Sequence, residues 1–233
     1  PRTQEGLLEF LLMIVGETKD YAAVFKPNFA YFEVLGASGV EVLKELIQKI
    51  PQGIPVIGDA KRGDVGHTAQ MYARSVFETI GCDAVTVTPY QGEDALRPFF
   101  DYTDRGVFVL CLTSNPGAVD FQLPDLHLQV AKKVQEWNVS GNAGLVVGAT
   151  RSDKIAAVRK ISGQMPFLIP GVGSQRGELK NTLLFAEDGS KIPYLINASR
   201  SILYASSGED FAQQAGNAAK ELRDQINLCR SFL

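Results

Sequence analysis

Short β-branched, apolar runs alternate along this chain with longer segments of helical period, and no other feature restricts the fold as strongly. Such a rhythm is typical of repeated βα units around a parallel sheet. The predicted strands are residues 22–26, 55–59, 84–88, 107–112, 144–148, 167–170 and 194–197. The predicted helices are residues 5–18, 40–50, 68–80, 92–100, 126–137, 152–161 and 211–232.

The length of the chain fits a barrel. The chain has 233 residues, of which 45% are hydrophobic, and barrels of this size commonly form one domain. We therefore predict an α/β fold, a TIM (β/α)8 barrel, as a single domain over residues 1–233. Only seven strands are found, because the sequence passes almost directly from Pro1 into a helical pattern, so the first strand is expected to be missing from the N-terminus. An open, doubly wound sheet of seven strands is the alternative.

Charge and cysteine usage bear on the partners. The net charge of −3 gives no general attraction to nucleic acid or to an anionic membrane. No apolar run reaches the length of a membrane span, and the N-terminus lacks the pattern of a signal peptide. Three cysteines, an odd number without zinc-ligand spacing, fit a reducing compartment. We expect a cytoplasmic protein whose partner is a small molecule.

Charged residues gather where the predicted strand 55–59 ends. Asp59 and Lys61 are two positions apart and would share one face of a strand, and Asp64 follows three residues later. Lys26 ends the preceding predicted strand, close enough for pairing with Asp59. Charges at an apolar barrel mouth lose hydration that only a partner replaces, so such an array indicates a functional site.

Three further strand ends carry candidate binding groups. Residues 169–175 place two glycines after an apolar strand, where backbone can approach a phosphate closely, and Arg200 follows the next strand with a fork that suits phosphate oxygens. Thr113 and Ser114 end another strand, although the residues by themselves favour a simple Ser-Asn-Pro turn there. His67 has no second ligand at metal-binding spacing. His127 is assigned a surface or packing role.

Five motifs together resemble the orotidine 5′-phosphate decarboxylase family, in the branch whose signature contains Ala-Lys-Arg-Gly-Asp. In chain order they are Phe25-Lys-Pro-Asn, Asp59-Ala-Lys-Arg-Gly-Asp, Leu112-Thr-Ser-Asn-Pro-Gly, Pro170-Gly-Val-Gly-Ser-Gln and Asn197-Ala-Ser-Arg. The resemblance implies decarboxylation of orotidine 5′-monophosphate to uridine 5′-monophosphate, with no metal and no cofactor.

The resemblance also implies roles for individual residues. Lys61 would be the proton donor, and Lys26, Asp59 and Asp64 would complete an alternating charged array. The enzyme would be a homodimer in which Asp64 and Thr68 serve the partner's site. The substrate contacts it implies are Asn28 and Thr68 near the ribose, Ser114 at the pyrimidine edge, Gln175 at the phosphate and base, and Arg200 at the phosphate.

Three points stay open at this level. By resemblance, residues 176–192 would form a lid that closes over the ligand. The family's aspartate at the end of its first strand has no counterpart in this sequence, and Arg2 and Glu5 do not replace it. The alternatives are a metal-dependent sugar-phosphate barrel, either a decarboxylase or an aldolase-like synthase, and a non-catalytic phosphate-binding barrel. The metal-dependent reading lacks an acidic ligand at Ile57, two residues before Asp59.

Overall fold

Six parallel strands form one sheet in the residues that the structure, a computed structural model, describes: 3–172, 176–187 and 193–232. The strands follow one another in the sheet in chain order, which confirms the parallel α/β class. They are β1 (Ile57–Arg62), β2 (Ala84–Val87), β3 (Gly106–Leu112), β4 (Ala143–Val147), β5 (Phe167–Pro170) and β6 (Tyr194–Asn197).

Helices fill the intervals between these strands, as the sequence pattern predicts. They are α1 (Gln4–Thr18), α2 (Ala30–Glu33), α3 (Ala37–Lys49), α4 (Gly66–Arg74) with a π-helical continuation (Ser75–Ile80), α5 (Glu93–Phe100), α6 (Ala118–Phe121), α7 (Leu126–Trp137), a 3-10 turn (Ala149–Arg151), α8 (Ser152–Ser162), α9 (Arg176–Glu187), α10 (Arg200–Leu203) and α11 (Phe211–Arg230). None of the described helices is both long and apolar enough to cross a membrane.

Contacts between residues divide the chain into two compact units. The first comprises Pro1–Ala60, Met71–Val85 and Ser199–Asp224, and the second comprises Lys61–Gln70, Thr86–Ala198 and Gln225–Leu233.

In the first unit, the two long terminal helices pack together. The rings of Phe10 in α1 and Phe211 in α11 are stacked with their centroids 4.9 Å apart. Gly216 allows a close approach, since a Cβ there would lie 2.8 Å from the Glu17 carbonyl oxygen. The predicted core-facing stripe of α11 is thus buried near its start, where Ala215 is fully covered, and only half-buried further along.

In the second unit, β3 and β4 lie in the core. Every residue of β4 is buried, and β3 pairs with it in parallel from Val107 to Leu112. Strands with both faces covered read as continuous apolar runs, and for this reason the sequence predicted them closely. The β4, β5 and β6 strands continue the parallel pairing, with Pro170 opposite Asn197 at the end of the last pair.

The prediction of a regular strand at residues 22–26 is wrong. Instead of a regular strand, residues 25–29 lie along β1 through two isolated parallel bridges, Phe25 with Val56 and Asn28 with Asp59. The Asp59 N–H donates to the Pro27 carbonyl at 2.9 Å, and the Phe29 N–H donates to the Asp59 carbonyl at 3.2 Å. Pro27 has no N–H to donate, so a continuous ladder cannot form.

The predicted lid at residues 176–192 is wrong over the part that the structure describes. Residues 176–187 form helix α9, which packs on α8 with Leu179, Leu183 and Ala186 buried. The buried Arg159 of α8 donates to the Ala186 carbonyl at 2.9 Å and so fixes the end of α9. An apolar face at helical spacing made this segment a crossover helix. Residues 188–192 lie outside the described part of the chain.

Candidate active site

Lys26 and Asp59 form a largely buried ion pair. Lys26 Nζ lies 2.6 Å from Asp59 Oδ2, and the two side chains are only 10% and 11% exposed. The backbone bonds between residues 25–29 and β1 hold the two side chains at adjoining positions. A charge removed from water to this extent is costly unless an opposite charge is within contact distance, which is the arrangement found here. The predicted pairing of these two residues is confirmed.

Lys61 lies two positions after Asp59 on β1 and has an unusual backbone. Its φ is 48°, the one positive value found at a non-glycine position among the described residues. Its N–H donates to the Thr86 hydroxyl at 3.0 Å, and Thr86 is 1% exposed. A left-handed backbone at lysine stores strain, and strain of this kind concentrates at functional sites. Strand β1 itself continues beyond its predicted end at Asp59, to Arg62.

The loop after Lys61 depends on a close backbone approach. A Cβ at Gly63 would lie 2.4 Å from Thr88 Cγ2, and the Thr88 N–H donates to the Arg62 carbonyl at 2.8 Å. Asp64 is half-buried and accepts a hydrogen bond from the Val65 N–H at 2.8 Å. Thr68 is exposed in the first turn of α4. Asp64 and Thr68 therefore belong to a short, tightly tied segment at the surface.

Ser114 lies where three strands of the second unit end. A Cβ at Gly148, just after β4, would be 2.8 Å from Ser114 N, and a Cβ at Gly171, just after β5, would be 3.5 Å from Ser114 Oγ. The Thr150 hydroxyl donates to the Ser114 carbonyl at 3.2 Å. Ser114 and the start of the glycine segment at 169–175 are thus brought together.

The remaining predicted phosphate ligands are only partly described. Gly171 has a φ of 86°, which a residue with a side chain rarely adopts, and it begins the turn that follows β5. Gln175 lies outside the described residues. Arg200 is exposed and begins the short helix α10, three residues after the end of β6.

Asn28 has a local partner. Its Oδ1 accepts a hydrogen bond from the Ala30 N–H at 3.1 Å, at the start of α2, while its backbone forms the bridge to Asp59. Side-chain oxygens of asparagine commonly satisfy such N–H groups. The predicted place of Asn28 near the ribose remains a prediction. The side-chain amide nitrogen is the group that would make that contact.

The sequence pattern did not identify two residues that support the candidate site. Thr86 supports Lys61, and the signal for it was a hydroxyl residue within the otherwise apolar run Ala84–Val87. Gln122 bonds to Thr113, the neighbour of Ser114, at 2.7 Å, across nine residues for which no local pattern predicts a contact. Among the described residues, no group of three or more His, Cys, Asp or Glu side chains could hold a metal ion. His67 contacts Gln70 on the surface of α4.

Comparison with protein families supplies the deciding observation. The model of the orotidine 5′-phosphate decarboxylase / HUMPS family matches residues 7–215. The chain belongs to this family. The resemblance found in the five sequence motifs is therefore confirmed over most of the chain, and the match places both β1 and the segment containing Ser114 within the orotidine 5′-phosphate decarboxylase / HUMPS pattern.

Individual members of the orotidine 5′-phosphate decarboxylase family are similar over almost the full chain. A protein named orotidine 5′-phosphate decarboxylase from Roseiflexus castenholzii is 48% identical, over 97% of this chain and 86% of that protein. One of the same name from Dehalococcoides mccartyi is 47% identical, over 96% and 86%. The structure of Leishmania donovani OMP decarboxylase superposes with a TM-score of 0.89 at 42% identity, covering 99% of this chain and 90% of that one.

Proposed function

We propose that this chain decarboxylates orotidine 5′-monophosphate, giving uridine 5′-monophosphate and CO2, with neither metal nor cofactor. Membership of the orotidine 5′-phosphate decarboxylase / HUMPS family supports the reaction, as do relatives of that name at 47% and 48% identity. The observation that carries the mechanism is the Lys26–Asp59 pair, because it holds a largely buried, charge-balanced carboxylate on β1, the strand that also contains Lys61.

Lys61 is proposed to act twice in this reaction. The bond between C6 of the pyrimidine and the carboxylate carbon breaks, and its electron pair stays on C6 as a vinyl carbanion with no adjacent electron sink. A cation already positioned beside C6 stabilises that charge without reorganisation. The Lys61 ammonium then gives its proton to C6 and recovers one from water. The strained backbone at Lys61 fixes the direction in which its side chain leaves the strand.

Asp59 and Asp64 are proposed to act on Lys61 rather than on the substrate. They are proposed to flank the Lys61 ammonium and to balance its charge in the site. Asp59 is the better supported of the two, since its own position is fixed by Lys26 and by two backbone hydrogen bonds. The proposed array thus alternates in sign, with Lys26, Asp59, Lys61 and Asp64 in order.

The remaining site residues are proposed to bind the substrate. Ser114 would hydrogen-bond the pyrimidine edge, which its place beside Gly148 and Gly171 supports. Asn28 and Thr68 would lie near the ribose. Gln175 and Arg200 would hold the phosphate, whose binding energy then helps to set the reactive geometry.

The finer structural expectations are proposed together with the reaction. The six parallel strands are proposed to belong to a (β/α)8 barrel forming one domain over residues 1–233. The active form is proposed to be a homodimer in which Asp64 and Thr68 complete the partner's site, with orotidine 5′-monophosphate as the small-molecule partner. The compartment is proposed to be the cytoplasm, where the cysteines remain thiols.

One assay tests substrate, reaction and cofactor together. The absorbance change on loss of orotidine 5′-monophosphate is followed with and without a chelator, and we expect equal turnover in both. Turnover that the chelator abolishes would favour the metal-dependent sugar-phosphate class instead. Nucleotide binding without any turnover would favour a non-catalytic phosphate-binding barrel.

Lys61→Ala separates catalysis from binding. We expect near-complete loss of turnover with the affinity for uridine 5′-monophosphate largely kept, because that ligand lacks the carboxylate that Lys61 faces. Lys49→Ala, at the exposed end of α3, is a control of the same chemical kind and should behave as the wild type. Undiminished decarboxylation by Lys61→Ala would overturn the mechanism.

A further inference from the structure

We propose that Gln122 is a positioning residue for recognition of the pyrimidine, acting through Thr113 on Ser114. The inference rests on the proposed function, in which Ser114 contacts the pyrimidine edge. Gln122 lies just after α6, nine residues from Thr113, and it is not among the residues that the sequence motifs single out.

The Gln122 side chain binds Thr113 with both ends of its amide. The Thr113 N–H donates to Gln122 Oε1 at 2.7 Å, and Gln122 Nε2 donates to the Thr113 hydroxyl at 2.8 Å. That hydroxyl has one proton, which goes to Asn115 Oδ1 at 2.6 Å. Gln122 Oε1 is a second, more distant acceptor for that proton at 3.1 Å, so the Thr113 hydroxyl is held by both Gln122 and Asn115. The residues on either side of Ser114 are therefore both tied to the same network.

The amide is presented from a fixed base. The Gln122 carbonyl accepts hydrogen bonds from the His127 N–H at 3.0 Å and from His127 Nδ1 at 2.9 Å, which requires the proton on Nδ1. His127 is 1% exposed, and its own carbonyl accepts from the Cys111 thiol of β3 at 3.1 Å. Packing of this kind leaves Gln122 little freedom to turn away from Thr113.

Ser114 is restrained on its other side as well. Its carbonyl accepts from the Thr150 hydroxyl at 3.2 Å, and its N, Cα and Cβ lie close against the backbone of Gly148. On the side before Ser114, Gln122 holds Thr113 at two points, the N–H of the Leu112–Thr113 peptide and the Thr113 hydroxyl, and so restrains the residue from which the Ser114 backbone continues. The direction of the Ser114 hydroxyl therefore depends on the Gln122 amide, because a hydrogen-bonding group must be placed within a fraction of an ångström to be effective.

Gln122→Glu is the sharpest variant, because it keeps the size and the acceptor but removes the donor to Thr113. Gln129→Glu, at an exposed position on α7, makes the same chemical change away from the network. Thr113→Val is a second variant that adds no charge and keeps the N–H. Both network variants are compared with the wild type for kcat/KM with orotidine 5′-monophosphate, and for binding of uridine 5′-monophosphate and of ribose 5-phosphate, which has no base.

We expect Gln122→Glu and Thr113→Val to weaken binding of uridine 5′-monophosphate about tenfold, the effect of one or two hydrogen bonds. Binding of ribose 5-phosphate, and all properties of Gln129→Glu, should stay unchanged. In a double-mutant cycle, Ser114→Ala with either network variant should lose no more than Ser114→Ala alone, because the network acts through Ser114.

Three outcomes overturn the inference: additive losses in the cycle, equal weakening of both ligands, or unchanged binding of uridine 5′-monophosphate in Thr113→Val. A merely structural role would lower thermal stability and give the first or second of these. If Gln122→Glu does not fold, Thr113→Val and its cycle decide alone. A wild type that binds and decarboxylates nothing would instead contradict the proposed function, so the two failures are distinguishable.

Discussion

Lys26 Nζ and Asp59 Oδ2 are 2.6 Å apart although their residues are 33 positions apart in sequence. The pair fastens the irregular segment 25–29 to β1 at the place where Pro27 interrupts the ladder. One contact therefore serves two purposes, since it completes the local structure and also fixes the carboxylate of Asp59, which precedes Lys61 by two positions on β1. Loss of either partner is expected to affect stability and activity together.

Asp59→Asn tests whether the Lys26–Asp59 pair stabilises the local structure. The amide can still accept a hydrogen bond but cannot balance the Lys26 charge, so the free energy of unfolding should fall by about 2–3 kcal/mol. Urea unfolding measures the change. Glu136→Gln removes the charge from an exposed pair with Lys133 on α7 and should leave the midpoint unaltered. Equal midpoints for Asp59→Asn and the wild type would show that the buried pair contributes nothing to stability.

The strain at Lys61 predicts a difference in stability between two variants that both lose turnover. Glycine adopts a φ of 48° without a Cβ penalty, so Lys61→Gly should be more stable than Lys61→Ala by about 1 kcal/mol. Both variants should lose turnover. Thermal or urea unfolding of the two variants side by side gives the difference. If Lys61→Ala is the more stable of the two, the left-handed backbone is not a source of strain.

The close approach at Gly63 gives a prediction with a built-in rescue. Gly63→Ala would put a methyl group 2.4 Å from Thr88 Cγ2 and should lower the free energy of unfolding by about 1–3 kcal/mol. Thr88→Ser removes that methyl group, so the double variant should recover most of the loss. Gly16→Ala in α1, where nothing lies within 4 Å, should instead stabilise by about 0.5–1 kcal/mol. A double variant no more stable than Gly63→Ala would place the clash elsewhere.

Cys111 predicts how stability depends on pH in the alkaline range. Burial raises the pKa of the Cys111 thiol from 9.0 to about 12, and a hydrogen bond from the Ala131 backbone offsets a small part of this. The unfolded chain ionises its thiol first, so this contribution to stability is fully present below pH 9 and declines as pH rises from 9 toward 12.

The measurement for Cys111 is a comparison across pH. The difference in unfolding free energy between the wild type and Cys111→Ala should be constant below pH 8. Above pH 9 the wild type should lose about 1.4 kcal/mol per pH unit relative to the variant. Parallel curves for the two proteins up to pH 10.5 would mean that the folded thiol ionises as readily as an exposed one.

The proposed sharing of a site between two copies of the chain predicts the activity of mixed variants. Lys61→Ala and Asp64→Asn should each be inactive alone. If Asp64 completes the partner's site, unfolding and refolding an equal mixture should restore about a quarter of wild-type activity, because half of the dimers are mixed and each has one intact site. A mixture as inactive as its components would place Lys61 and Asp64 in the same chain's site.

The sequence predicted the elements whose signal is local. Buried parallel strands such as β4 and β5 are continuous apolar runs, and helices such as α7 have an apolar face at helical spacing, so their bounds were close to those observed. The irregular segment 25–29 escaped because its pairing with β1 depends on where Pro27 falls in a ladder formed with residues distant in sequence. Residues 176–187 escaped because a family resemblance outweighed their helical period.

The Lys26–Asp59 pair of the candidate site could be predicted from the sequence, because charge alone identifies it. Lys26, Asp59, Lys61 and Asp64 stand out because charges seldom follow apolar strands in such an order. The supports of these residues do not stand out. Thr86 and Gln122 are ordinary polar residues whose importance arises only when folding brings a hydroxyl to the Lys61 N–H and an amide to Thr113.

The stacking of Phe10 on Phe211 joins two helices that are synthesised at very different times. About two hundred residues separate the two rings, so α1 leaves the ribosome long before the helix that covers it exists. The β3, β4 and β5 strands lie close together in sequence and can pair during synthesis. Helix α1 must therefore wait, with its apolar face uncovered, until α11 has been synthesised, and that interval is when a chaperone would have most to bind.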